Sequence, residues 1–229
     1  KHLVNFHKLH ETSKVIDISN PNVIDVSYVH GEAREKYRLG IALKYCQKPL
    51  MGLVEGKAVA TESLETMCRF YGLEDVRRQI IATGLIDTMV QMSTAMSEAL
   101  ITYAELGQAV IICAGQTFGV TTPQSMAGVY ALGNAMILAA MVLAQLAHPG
   151  TPVVYCGKFD SSDMRLRSAA AYGGIEAMLA CATSRRMADF YGVPLHSGTS
   201  NTDSKLMDYQ AGAESFMNLL TAYLLKVEC

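Results

Sequence analysis

Two short polar stretches hold most of the residues able to do chemistry in this 229-residue chain. One follows the apolar run Pro152-Val153-Val154-Tyr155-Cys156-Gly157 and supplies Lys158, Phe159, Asp160, Asp163 and Arg165. The other follows Val193-Pro194-Leu195 and supplies His196, Asn201, Asp203 and Lys205. Carboxylates, cationic side chains and an imidazole are the groups that hold a small charged ligand or move a proton. A lysine in such a loop is also a candidate Schiff-base nucleophile, here Lys158 or Lys205. Gln116, Thr117 and Phe118 close an earlier apolar run, and Glu55, Gly56, Gln91 and Ser93 close two more. A structural role competes at each position: Gln116 or Thr117 can cap the following helix, and Asp163 with Arg165 can brace its own loop.

Motif chemistry is sparse. There is no HExxH, no paired CxxC, no GxGxxG and no GxxxxGK[ST], which argues against zinc hydrolases and the nucleotide-binding forms of a parallel sheet. His2, His7 and His10 share one helix with no carboxylate or cysteine to complete a metal site, so a solvated helix face is expected there and no metal. The six cysteines are widely spaced, which predicts reduced, mostly buried thiols.

The elements that position these residues follow from the apolar pattern. AVIICAG (109–115) and PVVYCG (152–157) are β-branched runs without polar alternation, and between them lies a helix pattern from Ser125 to Leu146. That is a βαβ crossover in a sheet covered on both faces. Further strands are expected at 14–19, 49–56, 85–92 and 193–198. Helices are expected over the first dozen residues, at 26–45, at 61–71 with Thr61 as N-cap, from Ser93 to Leu106, from Ser168 to Tyr191 and from Asp208 to Leu225, with a further helical turn or two over 74–82. Six strand-to-helix units at this pace predict an α/β fold of the (β/α)8 TIM-barrel family, incomplete, with residues 1–229 forming a single partial barrel domain. In such a fold the loops after the strands carry the chemistry.

Charged residues make up 17% and apolar residues 50% of the chain, with a net charge of −2. The scattered charge offers no footprint for nucleic acid or for a membrane surface. The surplus of apolar residues predicts a surface covered by another segment or chain, and hence a homo-oligomer. Ala135–Ala147, the longest apolar stretch, reads as too short to cross a bilayer. No leader pattern opens the sequence, and the expected location is cytoplasmic.

Three blocks carry a family likeness: TTPQSMAGVYALGNAMILAAMVLAQLAHPGTPVVYCG (121–157), SDMRLRSAAAYGGIEAMLACATSRRMADFYGVP (162–194) and TDSKLMDYQAGAESFMNLLTAYLL (202–225). Together they resemble the trimethylamine methyltransferase superfamily, and KPLMG (48–52) is compatible with it. The resemblance implies a barrel enzyme that removes a methyl group from a small methylated amine and passes it to the cobalt of a corrinoid (cobalamin) carried by a cognate partner protein, none being bound by this chain. Archaeal members place pyrrolysine near the loop that here reads GTSNTDSK, with Asn201 the closest counterpart. An ordinary residue there implies the branch acting on quaternary amines such as glycine betaine, proline betaine and carnitine. A quaternary nitrogen already carries the charge that departs with the C–N electrons, so it needs an aromatic or acidic cage, a carboxylate anchor and an open mouth more than acid–base work.

On that reading Tyr155 and Phe159 are cage walls, Asp160 or Asp203 the counter-charge, and Lys158 or Arg165 the carboxylate anchor. Gln116, Asp163 and Lys205 complete the substrate-binding candidates, and Asn201, Asp203 and His196 are the catalytic candidates. Two alternatives stay open: a non-catalytic barrel that binds a betaine or scaffolds a partner, and a Schiff-base or metal-dependent lyase.

Overall fold

The structure is a computed structural model that describes residues 2–22, 26–30, 33–88, 90–162, 171–198 and 200–228. It is an α/β fold with four strands and seven α-helices among the described residues. In chain order these are α1 (His2–Thr12), α2 (Ala33–Tyr45), β1 (Leu50–Met51), α3 (Lys57–Phe70), β2 (Ala82–Asp87), α4 (Thr94–Glu105), β3 (Ala109–Thr117), α5 (Met126–Ala147), β4 (Val153–Asp160), α6 (Ile175–Tyr191) and α7 (Tyr209–Leu224). The strands form one sheet in the order β1-β2-β3-β4. The chain divides into two compact units, one of Lys1–Ile86, Ser93–Val110 and Ala144–Pro152, the other of Asp87–Met92, Ile111–Leu143 and Val153–Cys229.

In the first unit, β1 and β2 pair in parallel with Leu50 opposite Ala82. Tyr103 of α4 is wholly buried between Gly52 and Gly84, and its hydroxyl donates to the Leu53 carbonyl at 3.1 Å. A Cβ on Gly84 would lie 3.1 Å from the Tyr103 ring, so the glycine that punctuates the run in sequence is the space the ring needs. The strand expected at 85–92 therefore starts three residues earlier. Its start is pinned by buried Gln108, whose Oε1 accepts from the Ile81 and Ala82 amides at 2.9 and 3.3 Å.

Three further expectations are corrected in this unit. The strand at 14–19 reduces to one parallel bridge, Ser19 to Leu50, because Lys48 Nζ donates to the carbonyls of Ser13 and Ile16 and holds the segment apart from a ladder. Helix α2 starts at Ala33 rather than 26, a turn closed by Val29 N donating to Val26 O preceding it. Helix α3 starts at Lys57, not after Thr61: Gly56 is its N-cap, and Glu98 of α4 accepts from the Lys57 amide at 3.3 Å, a carboxylate brought to a helix N-terminus from 41 residues away.

His7 and His10 also depart from expectation. They are not a solvated face: His7 is fully buried, and both Nδ1 atoms bond to Ser19 Oγ, at 2.9 and 3.0 Å. Five cysteines (46, 68, 113, 156, 181) are free and buried, as expected, and Cys229 lies outside the described residues.

In the second unit β3 and β4 run parallel, with Phe118 N donating to Asp160 O at 3.0 Å at their carboxyl ends. Side chains alternate across these strands. On one face Gln116, Tyr155 and Phe159 meet α5 and α6; on the other, Cys113 and Cys156 touch, their sulfurs 3.3 Å apart. Helix α5 has 22 residues, and its most apolar 18-residue window has a mean hydropathy of 1.9, which is long and apolar enough by composition to cross a bilayer, a test that core helices of soluble proteins also pass. It buries Val129, Ile137, Ala140 and Ala144, and its Gly133 abuts the Phe159 ring with no space for a Cβ.

Helix α6 begins at Ile175 after Gly173-Gly174, later than the expected start at Ser168, a position outside the described residues. It ends on Gly192 in the left-handed conformation (φ 67°), where the Gly192 and Val193 amides satisfy the last carbonyls. The strand expected at 193–198 is a single parallel bridge between Leu195 and Tyr155. Helix α7 starts at its Asp208 N-cap and exposes Phe216, Leu219, Leu220, Tyr223 and Leu224, in keeping with the apolar surplus.

Candidate functional site

The carboxyl end of β4, Tyr172, Ser197, Gly198 and Asn201 line a small cleft in the second unit. Lys158, Asp160, Tyr172, Gly198, Asn201 and Asn218 are among its lining residues. Lys158 and Asp160 share one strand face by the two-residue alternation, and Asn201 lines the same cleft. A Cβ on Gly198 would sit 2.6 Å from Asn201 Nδ2 and 3.8 Å from Lys158 Cε, so these two candidates from distant parts of the sequence converge on one place.

The electrostatics of the cleft are uneven. Asp160 is 6% exposed, and burial raises its carboxyl to about 6; the Lys158 ammonium lowers it and the Asp203 carboxylate adds to the rise. The Lys158 ammonium lies 4.7 Å from the centroid of the Tyr172 ring. Asp203 turns its two carboxylate oxygens to backbone: one accepts from Tyr172 N and the other from Gly173 N, both at 2.9 Å. Glu214 of α7 accepts in turn from Asp203 N and Thr202 Oγ1 at 2.7 Å. Asn218 Nδ2 donates to the carbonyls of Tyr172 (3.2 Å) and Asn201 (3.0 Å), tying both walls of the cleft to α7.

Other sequence candidates lie elsewhere. The Tyr155 ring is buried against the helices, its hydroxyl donating to Asn134 Oδ1 at 3.1 Å and its face stacked on Tyr191. Phe159 lines the cleft, but its ring packs on Tyr130 and Gly133 of α5, on the strand face away from Lys158. Gln116 is buried with Nε2 donating to Met136 Sδ at 3.4 Å and Oε1 accepting from Thr121 Oγ1 at 3.3 Å. These three side chains knit strand to helix. His196 follows the Leu195 bridge, its amide donating to Tyr155 O at 2.9 Å. Lys205 is exposed beyond Asp203, and Asp163 and Arg165 lie outside the described residues. Gly56 and Ser93 are helix N-caps in the first unit. Among the described residues, no group of three or more His, Cys, Asp or Glu could hold a metal ion.

Sequence reasoning missed Tyr172, Glu214 and Asn218. Tyr172 falls inside the helix expected from Ser168, although Gly173-Gly174 marks a turn directly after it. Asn218 interrupts the apolar run Phe216-Met217 and Leu219-Leu220 of α7, a signal for a buried hydrogen-bonding role.

A parallel α/β sheet with a polar cleft at the carboxyl end of a strand defines the class of fold in which small ligands bind beyond strand ends. The chain belongs to the trimethylamine methyltransferase family, whose model, described as "Trimethylamine methyltransferase (MTTB)", matches residues 1–228. It is 39% identical over 223 residues to the glycine betaine methyltransferase of Desulfitobacterium hafniense (strain Y51), covering 96% of this chain and 46% of that protein. It is 33% identical over 233 residues to the proline betaine:corrinoid methyltransferase of Eubacterium limosum, covering 97% and 48%. The L-carnitine:corrinoid methyltransferase of the same organism is 28% identical over 237 residues, covering 97% and 48%. The chain thus spans about half the length of the curated relatives it matches.

Proposed function

We propose that this chain contributes to a methyltransferase that moves a methyl group from a quaternary amine, such as glycine betaine, to the cobalt of a corrinoid held by a cognate partner protein. The observation that carries the reading is the convergence of Lys158, Asp160 and Asn201 on one cleft at the end of β4, in a chain similar to methyltransferases named for three betaine-like substrates. In the reaction the C–N bond breaks with its electron pair going to nitrogen, the methyl group goes to the corrinoid, and the tertiary amine leaves neutral at nitrogen. No proton has to move at that step, so the residues need to bind, orient and exclude water. Asp160 faces the positive nitrogen, Lys158 holds the substrate carboxylate, and Asn201, standing in an ordinary amide's role, borders the approach. Asp203 serves by fixing the 172–173 backbone. His196 and Lys205 remain candidates, as do Asp163 and Arg165, which lie outside the described residues.

The reading includes a (β/α) barrel, residues 1–229 forming one partial domain of it, supported by the sheet order and the βαβ crossover. It includes a cytoplasmic location, no membrane or nucleic-acid partner, and a homo-oligomer, the last supported by the exposed apolar residues of α7. A second reading, a betaine-binding or scaffolding barrel without catalysis, is favoured by the commitment of both Asp203 carboxylate oxygens to backbone amides. Mixing full-length protein, reduced corrinoid protein and a panel of betaines separates the two. Methylation of the cobalt, seen in its absorption spectrum, supports transfer; binding of a betaine with an unchanged spectrum supports the second reading.

A further inference from the structure

The Lys158 ammonium over the Tyr172 ring occupies the kind of place a quaternary ammonium seeks. A cation within about 6 Å of an aromatic centroid is attracted by the ring quadrupole whether it is a lysine or a ligand, and here the separation is 4.7 Å. Tyr172 is 37% exposed. Its backbone is held by three hydrogen bonds between Asp203, Asn218 and residues 172–173. Gly173 completes the clamp: the Glu214 carboxylate lies where a side chain on residue 173 would begin, so the glycine permits this approach. The cleft thus holds an aromatic wall of fixed position, a buried carboxylate on the adjoining strand and a lysine ammonium already seated on the ring.

We propose that Tyr172 is the aromatic wall of a quaternary-ammonium subsite, and that Lys158 fills this subsite with its own ammonium until a ligand bearing both an ammonium and a carboxylate takes its place. This rests on the betaine reading above. A zwitterion replaces one cation–π contact by another and offers its carboxylate to the displaced lysine. A ligand with only the ammonium must evict Lys158 and gives it nothing in return. Tyr172 and Lys158 are then specificity-determining residues, while Asp203, Glu214 and Asn218 are positioning residues that act through the Tyr172 backbone.

The test is calorimetric binding of glycine betaine, choline and 3,3-dimethylbutanoate, the last keeping the carboxylate while replacing the ammonium by an uncharged tert-butyl group. Full-length wild type is expected to bind glycine betaine more tightly than either of the others. Tyr172→Leu is expected to weaken glycine betaine about 10-fold, the scale of a desolvated cation–π contact, and to leave dimethylbutanoate unchanged; Tyr172→Phe keeps the ring and the affinity. Lys158→Met is expected to tighten choline and weaken glycine betaine, reversing their order. Wild-type affinity in Tyr172→Leu, or an unchanged order in Lys158→Met, overturns the subsite. Methyl transfer by wild type, measured in parallel, separates the two levels: transfer with insensitive variants removes only this subsite, whereas a wild type that neither binds nor demethylates glycine betaine removes the betaine reading as well.

Discussion

At the scale of single residues, two buried titratable groups give the protein opposite pH dependences. Asp160 has its carboxyl raised from 3.8 to about 6, chiefly by burial. Its folded form therefore holds a proton longer than its unfolded form, and stability is full below about pH 4 and lost as pH rises through 6. Asp160→Asn is expected to raise thermal stability at pH 8, by an amount on the order of 1–3 kcal/mol, and to give no gain at pH 4. An equal shift in melting temperature at both pH values contradicts this account of the site. His7 is held down to about 4 by burial, with His10 adding to the effect. Its stability contribution is complete above pH 6.5 and is lost as pH falls toward 4, because the unfolded imidazole takes up the proton first. Acid denaturation followed in His7→Gln is expected to lose that limb of the curve between pH 6.5 and 4; a wild-type acid limb would mean His7 is not held neutral.

At the scale of elements, side chains far apart in sequence fix where helices and strands begin. Ser93 caps α4 locally, Oγ accepting from Met96 N at 3.2 Å, and this start was legible in the sequence. Ser93→Ala is expected to cost about 1 kcal/mol in chemical denaturation. The start of α3 was not legible, since the carboxylate that accepts from its first amide, Glu98, comes from 41 residues away, and neither was the start of β2, set by buried Gln108. Local propensity carries no record of such partners. The βαβ unit of β3, α5 and β4 was legible because its pattern is continuous and its punctuation unambiguous. Of the site, Lys158, Asp160 and Asn201 were legible as strand-end polar residues, whereas the turn of Tyr155 and Phe159 toward the helices depended on strand phase. Phe159 depends on Gly133 for its space. Gly133→Ala is expected to destabilise by roughly 1–3 kcal/mol through overpacking, seen as a lower denaturation midpoint; a neutral result would place the ring elsewhere.

At the scale of the whole molecule, the family assignment rests on nearly the entire chain, while the chain spans about half of its curated relatives. The activity proposed above would belong to a larger assembly of protein, corrinoid partner and amine. What this chain supplies in the account is one wall-to-wall site: Lys158 and Asp160 from β4, Tyr172 from the turn before α6, and Asn201 from the loop before α7. The steady-state rate of methyl transfer from glycine betaine to the reduced corrinoid protein, compared between full-length wild type and Asp160→Asn, tests that claim most directly. The account predicts a wild type that releases one dimethylglycine per cobalt methylated, and a variant whose KM rises about 10-fold or more as the counter-charge is lost. A wild type inert with every betaine while methyl iodide still methylates the same corrinoid, or a variant with unaltered KM and kcat, would contradict it.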